Sequence, residues 1–221
     1  VTNVEGVQIT SEDMKSVAEN TAAVLTVAAV TEAASGGAIT YSLSGGADRS
    51  LFSIDAGSGA LTFNSAPDFE AKGSAAGNNI YEVEVTANDG VSDSPAQMIT
   101  VTVTDENEAP AFSSGSFTLT IGEDAATDAN VGAAVAAVDP DGDGVTYTLT
   151  GENSGDFSID GNGQITVASS LDRETTSSYT LTVTAADDAA TNSLSATATV
   201  TINVTDVNDN APKITSDNAK K

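Results

Sequence analysis

No cysteine, histidine or tryptophan occurs among the 221 residues, and only 7 lysines and arginines stand against 32 aspartates and glutamates. Without cysteine there are no disulfides, thiolate nucleophiles or thiolate-bound zinc, so the redox compartment is not written in the chain. Without histidine, the Ser-His triad, an imidazole base at neutral pH and most zinc or iron sites are excluded. No apolar run approaches the roughly 20 residues of a membrane helix. No signal peptide is visible, and the chain starts at Val1 rather than Met, as an excised fragment would. The net charge of −25 opposes binding to phosphate backbones or anionic lipid and favours cations or simple solubility.

What is present suffices for folding. Hydrophobic residues make up 39%, enough for real cores despite the charge, and the length suits one large or two ordinary domains. Self-comparison decides between them. Ile39-Thr-Tyr41-Ser-Leu43 recurs as Val145-Thr-Tyr147-Thr-Leu149, Phe52-Ser-Ile54-Asp55 as Phe157-Ser-Ile159-Asp160, and Tyr81–Asp89 as Tyr179–Asp187. Val17-Ala-Glu19-Asn20 matches Ile121-Gly-Glu123-Asp124, and Asp68-Phe-Glu70 matches Asp172-Arg-Glu174. The blocks keep their order at offsets of 104 (Glu19 to Glu123), 98 (Asp89 to Asp187) and 102 (Pro110 to Pro212). The chain is therefore two copies of one domain. Gln8-Ile-Thr-Ser11 also resembles Lys213-Ile-Thr-Ser216, so a longer array is expected beyond both ends.

Period-two alternation predicts strands. Ile99-Thr-Val-Thr-Val103, Tyr179–Ala185 and Ala198–Val204 alternate apolar with polar residues, and their Val and Thr suit a half-buried sheet. Gly57-Ser-Gly59 and Gly161-Asn-Gly163 mark tight turns. Val131–Val138, rich in alanine, passes locally for helix, but its counterpart from Val24 alternates, so both are read as strands. About seven strands per hundred residues is the pattern of an all-β sandwich, and the Cys–Trp–Cys signature of antibody-type domains is absent.

The acidic residues recur in both copies near strand ends, where solvated surface does not explain their position. Carboxylates brought this close repel one another unless a cation intervenes. Calcium, with 6–8 oxygen ligands, suits them better than magnesium, which keeps its water. The set Ala18-Glu19-Asn20, Asp68-Phe-Glu70, Asp105-Glu-Asn107-Glu108-Ala-Pro110, Asp139-Pro-Asp141 and Ala185-Ala-Asp187, with Leu171-Asp-Arg-Glu174 and Asp206-Val-Asn-Asp-Asn-Ala-Pro212, resembles tandem cadherin repeats. The shorter Asp105–Pro110 linker is similar to versions in bacterial cadherin-like surface proteins.

The resemblance implies two tandem seven-stranded Greek-key sandwiches: 1–7 the remnant of a preceding linker, 8–106 the first repeat, 107–110 a calcium-binding linker, 111–207 the second repeat, and 208–221 a linker with the start of a following repeat. It further implies up to three Ca2+ at the junction, held by Glu19, Asp68, Glu70, Asp105, Asn107, Glu108, Asp139, Asp141 and Asp187, with Glu106 acting through its backbone oxygen. Glu123, Asp172, Glu174, Asp206, Asn208 and Asp209 form a second, incomplete half-site. In the first repeat Thr31 and Ala33 stand where Asp139 and Asp141 stand in the second, leaving Asp89 alone, so that pole is expected to bind calcium poorly. Asp139-Pro-Asp-Gly-Asp143-Gly144 imitates the start of an EF-hand, but Thr150 occupies the position of its final Glu and a strand follows.

The expected function is a calcium-rigidified repeat pair of an extracellular adhesin at a cell surface, with homophilic contacts or surface polysaccharide as partners. The competing readings are a carbohydrate-binding module and a passive calcium-stiffened spacer. The aromatic pairs Tyr41/Tyr147, Tyr81/Tyr179 and Phe52/Phe157 fit core positions better than a sugar platform. An enzyme is not expected, because alternating carboxylates repeated at every junction read as ligands rather than as an acid–base pair. Neither nucleic acid nor membrane insertion is expected of this chain.

Overall fold

In the computed structural model of the chain, which describes residues 6–31, 37–189 and 192–209, alternating sequence becomes strands buried on one side only. The chain divides into two compact units, Val1–Glu106 and Asn107–Lys221.

Unit 1 carries β1 (Val7–Ile9), β2 (Met14–Ala18), β3 (Ala23–Thr26), β4 (Ala29–Thr31), β5 (Thr40–Gly45), β6 (Phe52–Ile54), β7 (Ala60–Phe63), β8 (Ile80–Asn88) and β9 (Gln97–Thr104). One sheet has the order β2-β9-β8-β5 and another β3-β7-β6, with β1 paired to β4. The nine segments reduce to seven strands of a sandwich. β1 and β2 are one strand broken as it passes between sheets, and β3 and β4 are another, interrupted at Val27 and Ala28. Tyr81, Val83 and Val85 of β8 and Ile99, Val101 and Val103 of β9 face Val24, Phe52, Leu61 and Phe63 from the other sheet. Phe63 meets Tyr81 edge-on at 5.2 Å, a favourable arrangement of ring quadrupoles.

Unit 2 repeats the plan with β10 (Ala111–Phe112), β11 (Ser116–Gly122), β12 (Ala137–Val138), β13 (Val145–Thr150), β14 (Phe157–Ile159), β15 (Ile165–Val167), β16 (Ser178–Asp187) and β17 (Ser195–Thr205). The main sheet runs β11-β17-β16-β13. Its inner residues Leu181, Val183, Val200 and Ile202 are wholly buried, each contributing on the order of 2 kcal/mol by leaving water. Its outer face is almost entirely threonine, with Thr118, Thr201 and Thr180 in one cross-strand row.

One expectation needs correction. Val131–Val138 is neither helix nor a continuous strand: only Ala137–Val138 pairs, with β10, apart from an isolated bridge at Asn130. Gly132 is the physical reason. It takes φ +61°, and Leu119 lies 2.9 Å from where a Cβ would stand, so the chain turns against the core instead of extending. Val131 and Val135 remain fully buried, held by Val131 N–H to Ile165 O at 2.9 Å and Val135 N–H to Gly163 O at 2.8 Å. The apolar period thus recorded burial, while the glycine decided the backbone.

The turn glycines named by the sequence meet a strict requirement. Gly163 has φ +75°, and a Cβ there would stand 2.5 Å from Val135 O; Gly59 holds the same place against Val27 O, with φ +74°. Gly163→Ala is expected to destabilise unit 2 by about 3 kcal/mol, combining left-handed strain with a backbone clash. Gly77→Ala, at φ +67° with open space around it, should cost only about 1 kcal/mol. Urea denaturation of the two variants measures the difference.

Candidate metal centre

The trailing pole of unit 1 is organised by one buried glutamate. Glu19 follows β2 and is 2% exposed. Its Oε1 accepts the Glu106 N–H at 3.0 Å and its Oε2 the Phe69 N–H at 2.8 Å. The Glu19 N–H itself donates to Thr104 O at 3.0 Å. Both carboxylate oxygens are thus satisfied by backbone donors, which offsets the cost of burying them. Carboxylate oxygens of Glu19, Glu70 and Asp105 lie within 4.8 Å of one another. Asp68 stands outside that group, its Oδ1 accepting the Ala71 N–H at 2.9 Å and closing the turn that presents Glu70.

Unit 2 builds the same pole from Glu123, Glu174 and Asp206, again within 4.8 Å. Glu123 accepts the Val207 N–H at 2.6 Å and the Arg173 N–H at 2.8 Å, and these two bonds hold its carboxyl below the usual range. Glu174 goes the other way. Its own N–H favours the charge, but burial and the negative charges of Glu123, Asp209 and Asp206 together push its carboxyl up. Asp172 is a turn former like Asp68, bonded to the Thr175 hydroxyl at 2.8 Å and N–H at 3.1 Å. Asn208 and Asp209 are exposed.

The leading pole of unit 2 gathers Asn107, Glu108, Asp139, Asp141 and Asp187. Asp187, 4% exposed, ends β16. Burial opposes its ionisation, but the Asn107 amide at 3.0 Å, the Leu194 N–H at 2.9 Å and the Ala189 N–H outweigh it and leave its pKa lowered. Asp139 is 6% exposed and its Oδ1 accepts the Asp141 N–H at 3.1 Å and the Asp143 N–H at 3.3 Å. Asp141 Oδ2 accepts the Glu108 N–H at 2.8 Å. Asp139 Oδ2 and Asp141 Oδ1 are buried and have no hydrogen-bond partner among the described residues. Two orphaned carboxylate oxygens at one pole carry a desolvation penalty that a hard cation would remove, so the donor set fits calcium.

Two acidic neighbours complete this pole. Asp143 is pushed up by burial and by Asp139, Asp188, Asp141 and Asp187. Asp188, which the sequence reading passed over, accepts the Gly144 N–H at 2.7 Å. Its adjacency to Asp187 was the available signal. The stretch after Gly144 enters β13, so the EF-hand imitation ends in a strand.

Unit 1 handles its own leading pole differently. The pairing Gln8↔Val30 in β1–β4 mirrors Ala111↔Val138 in β10–β12, which places Thr31 in the position of Asp139. The Thr31 hydroxyl donates to Asp89 Oδ2 at 2.6 Å, and Oδ1 accepts the Val91 and Ser92 N–H groups at 3.0 and 2.9 Å. Asp89 is fully buried and neutral donors satisfy it. Ala33 lies outside the described residues.

The sequence also compares with known proteins. Residues 117–205 match the cadherin domain family model. Human protocadherin Fat 1 is 40% identical over 182 residues, covering 79% of this chain and 4% of that protein. The EC22-24 segment of mouse cadherin-23 is 27% identical with a TM-score of 0.57, covering 93% of this chain and 68% of the other. Human protocadherin-24 EC1-2 superposes with a TM-score of 0.60 at 21% identity, covering 91% and 99%, and supports the fold alone. The chain spans a small part of the curated relatives it matches, 4% of protocadherin Fat 1, 3% of mouse protocadherin Fat 4 and 14% of mouse cadherin-17.

The Thr31–Asp89 bond has a measurable consequence in acid. The hydroxyl, followed by the Ser92 and Val91 N–H groups, holds the Asp89 carboxyl below its usual value. A depressed folded pKa gives stability that is present above the unfolded value near 4 and is lost as pH falls through the folded value. Thr31→Val raises the folded pKa, so unit 1 should open at a higher pH during acidification than in the parent. Hydrogen exchange of β4 and β8 peptides, with unit 2 peptides as internal reference, reads that shift.

Proposed function

Starting from a chain made of tandem cadherin repeats, we propose that calcium at the junction of the two repeats makes it a stiffened extracellular adhesion module. The observation that carries this reading is the pair of buried, unpartnered oxygens Asp139 Oδ2 and Asp141 Oδ1. Glu19, Asp68, Glu70, Asp105, Asn107, Glu108, Asp139, Asp141 and Asp187, with the backbone oxygen of Glu106, would hold up to three Ca2+. The ion supplies positive charge shared among carboxylates that otherwise repel. This chain's own residues do the positioning. Glu19 fixes the Asp68–Glu70 turn and the start of the 107–110 linker through two backbone bonds, and Asn107 fixes Asp187. Two domains joined by a short polar segment otherwise move independently, and shared ligands remove that freedom. The Glu123, Glu174 and Asp206 group offers the same half-site to a following repeat.

The carbohydrate reading loses support from the aromatic residues. Every Phe and Tyr either belongs to one of the two cores or packs against it, which leaves no exposed stacking platform. Among the described residues no helix is long and apolar enough to cross a membrane. The module acts outside the cell, and homophilic or heterophilic contact between such arrays is its adhesive work. Its paired carboxylates serve as ligands, not as catalytic acid and base.

Calcium should raise the melting temperature. Each site filled at a hundredfold excess over Kd stabilises by about 2.7 kcal/mol, and Kd near 10⁻⁴–10⁻³ M is expected for an extracellular module. Small-angle scattering should show a longer, narrower particle in millimolar calcium. Asp141→Ala should remove most of both responses while leaving the chelator-treated melting temperature nearly unchanged. A parent protein with no calcium response in calorimetry and scattering would refute the proposal.

A further inference from the structure

In each unit the first long strand runs parallel to the last. β2 lies beside β9 over five paired positions, from Met14↔Thr100 to Ala18↔Thr104. β11 lies beside β17 over seven, from Ser116↔Thr199 to Gly122↔Thr205. The chain enters a unit at the start of one strand and leaves at the end of the other. Opposite pulls on these two points slide the strands past each other, so the slanted bonds of the parallel ladder share the load together. An antiparallel pair pulled open from one end breaks its bonds one after another instead.

Both ends of this pairing are tied. In unit 2, Thr199 N–H reaches Gly115 O at 3.0 Å and Glu123 N–H reaches Thr205 O at 3.2 Å. Past the last pair, Glu123 Oε1 catches the Val207 N–H at 2.6 Å. In unit 1, Thr100 N–H reaches Asp13 O at 2.8 Å, and Glu19 Oε1 catches the Glu106 N–H at 3.0 Å. The short strands β1 and β10 lie outside this pairing, bound to β4 over three positions and to β12 over two.

We propose that the β2–β9 and β11–β17 pairings, latched by Glu19 and Glu123, are shear clamps through which the chain carries tension, and that unit 1, with the shorter clamp, yields before unit 2. The proposal goes beyond calcium binding and rests on strand pairing and the two glutamate latches, with no part played by an ion. The experiment is therefore run in chelator, where failure of the calcium reading leaves its outcome unchanged.

The absence of cysteine lets engineered thiols define the direction of pull in the full chain. Ser113→Cys with Val207→Cys loads β11 against β17 in shear. Ser177→Cys with Val207→Cys grips neighbouring ends of β16 and β17, which pair antiparallel, and peels them apart. Glu12→Cys with Glu106→Cys shears unit 1. All five positions are exposed, and a cooperative melt of each double variant checks folding. Forced unfolding is governed by the unfolding rate along the pulled direction, so the unit 2 shear pair should need about twofold or more the force of the peeling pair at equal loading rate. The unit 1 shear pair should fail at lower force than the unit 2 shear pair. Equal forces in the two unit 2 directions would overturn the clamp, and a unit 1 that outlasts unit 2 would overturn the order of yielding.

Discussion

A buried glutamate bonded to two backbone N–H groups closes each sandwich at its trailing end. Glu19 ties the turn at Phe69 to the exit strand at Glu106, and Glu123 ties Arg173 to Val207. Hydrogen bonds to a charged acceptor are worth about 1.5–3 kcal/mol each, and removing the carboxylate would take this partner from two part-buried donors at once. Much else depends on this placement. It sets where Glu70 and Glu174 emerge, where the linker begins, and how β2 and β11 end. An ionised carboxylate has about four lone-pair positions, so two backbone bonds leave capacity facing its acidic neighbours. Fold closure and the candidate cation pole therefore share one side chain.

The poles differ because their carboxylates are satisfied by different means. Asp89 is surrounded by hydroxyl and amide donors and has no need of a cation. Asp139 and Asp141 use backbone donors for one oxygen each and leave the other bare. Relative to the Asp139 pole, the Thr31 hydroxyl removes one negative charge and adds one donor, so the buried carboxylate of Asp89 is satisfied without a cation. Crowding gives the opposite result around Glu174 and Asp143, where like charges and burial favour the protonated form.

The strands were legible because burial has period two: Tyr179, Leu181, Val183 and Ala185 are all buried, as their alternation requires. The stretch from Val131 was misjudged because the same apolar spacing buries side chains from an irregular segment, and only the φ of Gly132 reveals it. Recurrence drew attention to the acidic motifs, but it did not divide their labour. Asp68 and Asp172 recur as faithfully as Glu70 and Glu174, yet the first pair forms turns through local N–H and hydroxyl bonds while the second projects toward the buried glutamate. Sequence spacing shows which residues share a turn. It does not show which oxygen is spent on the turn itself.

The heavy negative charge is compatible with folding because it is kept out of the cores. Both clusters are wholly apolar apart from the tyrosine hydroxyls, and the outer face of the unit 2 sheet presents threonine along β11, β16 and β17 rather than carboxylates. Repulsion among the clustered carboxylates of the poles acts at short range, where divalent ions would neutralise it, while distant surface charges are screened by salt. The sandwiches owe their stability to apolar burial and ladder bonds that no cation touches. Cation loss should therefore act on the poles and the segment between the units first, leaving the two domains folded. With that separation of duties, a cation bound as proposed would regulate stiffness without also deciding whether the domains exist.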